Sequence, residues 1–206
     1  MIMKNERVIR EALLDNTVRL IGEGGFERST TKAIVYDGVS LPGIRLNEVY
    51  IYRIFGSKEL LYAEVFSRLD MELFATINQM FADFERSELS QRERLYRIFM
   101  KLWRFLLGNE IKTRCYVRYF YSAYYKEKSR RNHRKELDAT VQKFAVGFKK
   151  ESNVRALLHA TFMMMLDFSI QVYNGELEDN DENAYHIFNL LYNILYPYLE
   201  PSLLDK

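Results

Sequence analysis

The sequence predicts an all-α protein in which a small N-terminal three-helix head is followed by a longer helical bundle. Three observations lead there. Apolar residues recur at spacings of three and four from Ile9 through Leu195, the period of a helix with one buried face. The chain has three prolines and nine glycines in 206 residues, and most stand where that periodicity stops, as at Gly24-Gly25, Gly56, Gly108 and Pro197. Hydrophobic residues make up 48%, enough for a sizeable core, yet no uncharged apolar run reaches the ~20 residues of a membrane span.

The first helix is expected from about Asn5 to Glu23, with Ile9, Ala12, Leu13, Leu20 and Ile21 on one face. Gly24-Gly25 stops it, Phe26 plugs the core, and Ser29 or Thr30 caps a second helix through Thr31, Lys32, Ala33, Ile34 and Val35. Hydroxyls and free amides at a helix N-terminus suit phosphate groups, which makes Thr30, Thr31 and Lys32 candidate nucleic-acid contacts; capping alone is the other reading.

A third, short helix follows Asn47-Glu48. Val49, Ile51 and Phe55 are expected to point inward, leaving Tyr50, Tyr52 and Arg53 outside, where an aromatic and a cation fit phosphates and base edges. Gly56 closes this helix, Ser57 caps the next, and Lys58 falls in its first turn. A lysine there opposes the helix dipole at a cost of a few tenths of a kcal/mol up to about 1, which makes sense if Lys58 meets an anion.

From Ser57 a long helix runs to about Arg86 with Leu61, Val65, Leu69, Leu73, Ile77, Met80, Phe81 and Phe84 along one stripe. Ser90 opens another carrying Leu95, Ile98, Phe99, Leu102, Trp103 and Leu106, ended by Gly108-Asn109. Thr113 to Lys128 is read as an aromatic helix with Tyr116, Tyr119, Phe120, Tyr121, Tyr124 and Tyr125, and Ser129 as the start of a basic one. Ala156 to Leu166 is apolar nearly all round, so that helix should be buried on most sides. The last helix bears Ala184, Ile187, Phe188, Leu191, Ile194 and Leu195 and ends at Pro197.

The ten residues Tyr52-Arg53-Ile54-Phe55-Gly56-Ser57-Lys58-Glu59-Leu60-Leu61 resemble the tyrosine, two residues, phenylalanine, then Ser-Lys-Glu-x-Leu pattern of the TetR family of bacterial transcriptional regulators. Gly25-Phe26 with Thr30-Thr31-Lys32-Ala33-Ile34 is similar to that family's entry into its helix-turn-helix. The resemblance covers roughly the first third of the chain. It implies a helix-turn-helix DNA-binding domain over 1–56 and a ligand-sensing and dimerisation domain over 57–206, whose last two long helices pair with a partner's across a two-fold axis. The implied protein is a cytoplasmic homodimeric regulator, probing a pseudo-palindromic double-stranded DNA operator as a repressor and released by a small-molecule effector.

The chain departs from the pattern between the second and third helices. Tyr36-Asp37-Gly38-Val39-Ser40-Leu41-Pro42-Gly43-Ile44-Arg45-Leu46 is about five residues longer than the family's compact turn, and it adds Arg45 to the candidate contacts. The DNA-binding set is then Thr30, Thr31, Lys32, Arg45, Asn47, Glu48, Tyr50, Tyr52, Arg53 and Lys58, with Lys58 and Tyr52 on the backbone and Asn47, Glu48 and Tyr50 on base edges. The alternative is a helical ligand-binding or partner-binding protein whose head has lost operator binding through the inserted turn at 36–45.

Aromatic supply in the body points to a ligand pocket walled by Trp103, Tyr116, Phe120 and Tyr124 and closed by His159 and Met163, with Arg114 or Arg118 as the candidate partner for an acid on the ligand; core packing is the alternative. An enzyme is not expected. His133, His159 and His186 lack metal-ligand spacing, and neither a glycine-rich phosphate loop nor a nucleophile elbow is present. No cofactor and no metal are predicted. The single cysteine, Cys115, cannot form an internal disulfide and suits a reducing compartment, while the formal net charge of +2 leaves any basic footprint local. The start of the chain has no apolar signal-peptide core, so a soluble protein without membrane attachment is expected.

Overall fold

The computed structural model describes residues 2–36, 46–85 and 89–201, the side chains of 2–5 and 81–85 excepted. Nine α-helices occur among the described residues: α1 Ile2–Gly24, α2 Thr31–Tyr36, α3 Val49–Phe55, α4 Lys58–Glu85, α5 Gln91–Leu107, α6 Glu110–Phe120, α7 Glu127–Phe144, α8 Val154–Tyr173 and α9 Asp181–Leu195. The inserted turn, with Arg45, lies outside the described residues. The chain folds as two compact units, one of residues 1–70 with 110–132, the other of 71–109 with 133–206. Helices α4 and α7 each run through a boundary between them.

In the first unit, α1 buries Ile9, Leu13, Leu20 and Ile21 and packs along α6. Gly22 permits that approach. A Cβ there would lie 2.3 Å from the carbonyl oxygen of Ile111, so the two backbones meet where a side chain has no room. Arg118 completes the contact by donating to the carbonyls of Ile21 and Gly22 in the last turn of α1. Thr30 caps α2, accepting from the Ala33 amide at 3.1 Å. Gly56 ends α3 with φ +85°, a left-handed conformation that glycine adopts without cost, and its amide donates to Tyr52 O at 2.9 Å. Ser57 Oγ then accepts from the Leu60 amide at 3.1 Å to start α4.

The aromatic stretch is not one helix to Lys128. Helix α6 ends at Phe120, and α7 begins at Glu127. Ser122 explains the break: its hydroxyl donates to Tyr119 O at 2.7 Å and accepts from the Tyr124 amide at 3.1 Å, offering the backbone local partners in place of helix bonds.

In the second unit, α5 packs against α8 and α9, and those two against each other. Ser90 and Glu93 form a reciprocal capping box on α5, while Asn153 and Asn180 cap α8 and α9. Beyond α9 the chain returns to the segment after α7, where Lys149 donates to Tyr198 O at 2.9 Å and the Glu200 amide to Gly147 O at 3.0 Å. Helix α8 is less buried than its composition predicts. Val154, Thr161, Met165, Leu166 and Ser169 are buried, whereas Leu157, Met163, Met164 and Phe168 are half-buried and Ala156 and Ala160 exposed. One face of α8 suffices for the core of this unit, so the rest of its apolar circumference remains at the surface.

Candidate nucleic-acid interface and internal cavity

The first unit presents α2, α3 and the start of α4 as neighbouring pieces. Glu48, just ahead of α3, accepts a hydrogen bond from Thr31 Oγ1 in the first turn of α2, so the two short helices are tied at their beginnings. Ile34 and Val35 of α2 and Ile51 and Phe55 of α3 are buried, which fixes the rotation of both helices about their axes. Thr30, Lys32, Asn47, Tyr52 and Arg53 are consequently exposed, with Thr31, Glu48, Tyr50 and Lys58 partly so.

Two of these cations rest on aromatic faces. The Arg53 guanidinium sits 4.7 Å from the centre of the Tyr50 ring, and Lys58 Nζ 5.7 Å from that of Tyr62. Glu59 in the same first turn has its carboxyl held below the usual range, chiefly by its own backbone amide and next by Ser57. The amides there favour negative charge.

Val49 does not point inward. It is 66% exposed, because Ile51 and Phe55 already define the inner face and a residue two positions before Ile51 falls about 200° around the helix. With Tyr36 and with Tyr52 at 54% exposure, it gives this surface apolar and aromatic groups among its polar ones. Counting backward from Ile51 at 100° per residue puts Val49 on the outward face from the sequence alone.

The residues assigned to a ligand divide between the units. Tyr116, Phe120 and Tyr124 lie in the first, within an aromatic cluster built on Phe26, Tyr62 and Phe66: Phe66 stacks on Tyr116 at 5.1 Å, and Tyr62 meets Tyr124 at 5.0 Å. Two hydroxyls of this cluster are met by protein. Tyr116 Oη donates to Asp70 at 3.0 Å, and Tyr119 Oη donates to Tyr124 O at 2.9 Å beside Ser129 Oγ at 3.0 Å. Burial, then the negative charge of Asp70, pushes the Tyr116 hydroxyl well above its ordinary range. Arg114 pairs with Glu110 at 2.8 Å, and Arg118 is spent on α1.

Trp103, His159 and Met163 belong to the second unit. Trp103 is buried and stacks on Phe99 at 6.0 Å. A cavity of about 140 Å³ lies between α4, α5, α7, α8 and α9 of this unit, walled by residues such as Phe74, Leu102, Leu137, Phe162 and Phe188, and His159 is on its lining while Trp103 and Met163 are not. The lining of this cavity is mostly leucine, isoleucine and phenylalanine, residue types that the sequence alone does not distinguish from core.

No family model matches the chain, and no curated protein matches its sequence. Solved structures do. A TetR family transcription regulator from Marinobacter aquaeolei VT8 is 21% identical, with a TM-score of 0.71 over 96% of this chain and 99% of that one. A TetR-like transcriptional regulator from Rhodococcus sp. RHA1 is 18% identical, with a TM-score of 0.60 over 92% and 94%. The transcriptional regulator FadR from Bacillus subtilis, in complex with stearoyl-CoA, is 17% identical, with a TM-score of 0.63 over 88% and 96%. Near-complete coverage in both directions extends the likeness past the helix-turn-helix to the whole chain, and the fold of this protein is that of the TetR-family transcription regulators.

Proposed function

We propose that the protein is a DNA-binding transcriptional regulator, working as a homodimeric repressor whose hold on its operator is released by a small molecule. The observation that carries this reading is the surface on α2, α3 and the first turn of α4, where Thr30, Lys32, Asn47, Val49, Tyr52, Arg53 and Lys58 stand outward from a tightly buried inner face. Cations and hydroxyls meet phosphates, while Asn47, Tyr50 and the Val49 methyls have the chemistry to read base edges and thymine methyl groups.

Dimerisation is supported by the apolar surface that α8 leaves outside the core and by Tyr185 and Leu190 on α9, exposed at 47% and 44%. Phe188 and Leu191 belong instead to the subunit interior. Two heads related by a two-fold axis read a pseudo-palindrome with half-sites ~34 to 36 Å apart or a multiple of it. The cavity of the second unit is the effector site in this reading. An effector that prefers one arrangement of the helices around it acts through α4, which starts at Lys58 in the head and passes the cavity at Phe74 and Ile77.

The deciding experiment is a gel shift with footprinting on the DNA flanking the protein's own gene. A protected pseudo-palindrome at nanomolar to micromolar protein supports the reading. Binding no tighter than to unrelated DNA would overturn it in favour of a helical ligand-binding or partner-binding protein.

A further inference from the structure

We infer that Lys126 and Arg130, at the start of α7, form a second contact of the head with DNA, holding the phosphates next to those met by the first turn of α4. This extends the DNA-binding reading and rests on it for the identity of the anion. The first observation is charge. The chain carries a formal net charge of +2, yet the six residues 126–131 hold four cations, Lys126, Lys128, Arg130 and Arg131, against one acid, Glu127. All five are exposed. Arg130 and Glu127 are 3.9 Å apart, a loose pair between exposed groups that contributes little. Exposed cations so concentrated fit an anionic partner.

The second observation is place. Three mutually packed rings gather the starts of α2, α4 and α7: Phe26 lies 5.1 Å from Tyr62 and 4.7 Å from Tyr124, and Tyr62 lies 5.0 Å from Tyr124. Tyr62 donates to the carbonyl of Ser29 at 2.6 Å, directly before the Thr30 cap of α2, and carries Lys58 on its face. On the α7 side the Lys126 amide donates to Tyr124 O at 2.8 Å, so Lys126 leaves the same triad two residues on. The Glu59 carboxyl, held low chiefly by its own backbone amide, feels Lys58 and Lys126 as well, which brings both ammonium groups to the first turn of α4.

The third observation is orientation. Ser129 is buried with its Oγ 3.0 Å from Tyr119 Oη, which turns the flanking cations of α7 outward. The Arg130 amide donates to Lys126 O at 3.0 Å, so these two cations stand one turn apart on one flank, the flank that Lys126 turns to α4. Cations at the start of a helix oppose its dipole, a placement that solvent does not reward and a bound phosphate does.

The test is fluorescence anisotropy of the full chain on a labelled random-sequence duplex and on the operator, each across a salt series. Lys126→Ala should lower the slope of log affinity against log salt by about one for each head bound, and Lys126→Ala with Arg130→Ala by about two, with circular dichroism unchanged. Lys126→Arg should keep the wild-type slope. Lys150→Ala, which removes an exposed charge of the second unit, should leave the slope unchanged and so separates a phosphate contact from a general loss of positive charge. On the operator the double variant should weaken every base variant by the same factor, since phosphates carry no sequence. A slope unchanged in the double variant, or lowered as much by Lys150→Ala, would overturn the inference and return residues 126–131 to a solvated helix face. A wild-type chain that holds random DNA through Lys126 and Arg130 but prefers no operator fails the regulator reading alone. One that binds its operator with a slope indifferent to the double variant fails this inference alone, and one that binds neither duplex fails both.

Discussion

The hydroxyl of Thr31 donates to the carboxylate of Glu48, bridging the first turn of α2 to the start of α3 across the inserted turn that separates them in sequence. A longer connection costs little in closure entropy, since each doubling of a flexible loop adds only ~0.6 kcal/mol, but it does not by itself hold its two ends in register. The Thr31 to Glu48 bond does so from within the helices. It also means that, at the proposed interface, Glu48 is already committed to a protein partner rather than a freely swinging acceptor.

A double-mutant cycle of Thr31→Val and Glu48→Gln should therefore give a coupling energy of about 1 kcal/mol in stability, read by denaturant unfolding. Additive effects of the two substitutions would mean that the bond contributes nothing to the register of the head.

Lys58→Ala should weaken binding to all DNA sequences alike and lower the slope of log affinity against log salt by about one. Val49→Ser, at the 66% exposed position, should instead alter the preference among operator variants with the salt slope unchanged. Fluorescence anisotropy across a salt series separates the two, and a reversed pattern would place Lys58 on bases and Val49 off the interface.

Leu190→Glu, on the exposed face of α9, should shift a dimer toward monomer in sedimentation experiments while leaving helix content intact. Phe188→Ala, a change in the interior, should lower stability by about 3 to 5 kcal/mol in the same protein. A monomeric wild-type chain at micromolar concentration would remove the dimer from the proposal.

Burial pushes the Cys115 thiol up to about 12, with Arg118 and Arg68 opposing weakly. The thiolate is the reactive form, so at pH 8 the folded protein should react with a disulfide reagent far more slowly than the same protein in denaturant, by two orders of magnitude or more. Rapid modification of the native chain would show that the site opens on its own.

His159 has its pKa lowered in the folded state from an ordinary value of 6.5. As pH falls below that value the unfolded chain takes up the proton first, so stability present above pH 6.5 is lost as pH falls through the folded pKa, with a positive slope of stability against pH in that window. His159→Leu should flatten the slope between pH 5 and 7 in thermal melts. An identical slope in the variant would assign the dependence to other groups.

Much of the head was legible from residues alone, because its signals are local. Gly56 must adopt a positive φ to end α3, Ser57 must follow to cap α4, and Ile51 and Phe55 must share a face, all of which depend on a span of a few residues. The break after Phe120 was missed although it too is local, since the Ser122 hydroxyl bonds the backbones of Tyr119 and Tyr124, and its type alone does not say that it turns to them.

What tertiary structure alone decided is the partition of the aromatics and the place of the cavity. Tyr116 and Tyr124 look like pocket residues until Asp70 and Phe66 are brought to the first and Tyr62 to the second from elsewhere in the chain, and then they read as core. The cavity wall joins Phe74, Leu102, Leu137, His159 and Phe188 from five helices. A periodic apolar stripe says that a helix face is buried, but whether facing stripes fill the space between them or leave room for a ligand depends on side-chain volumes meeting across helices far apart in sequence, a quantity no single stripe contains.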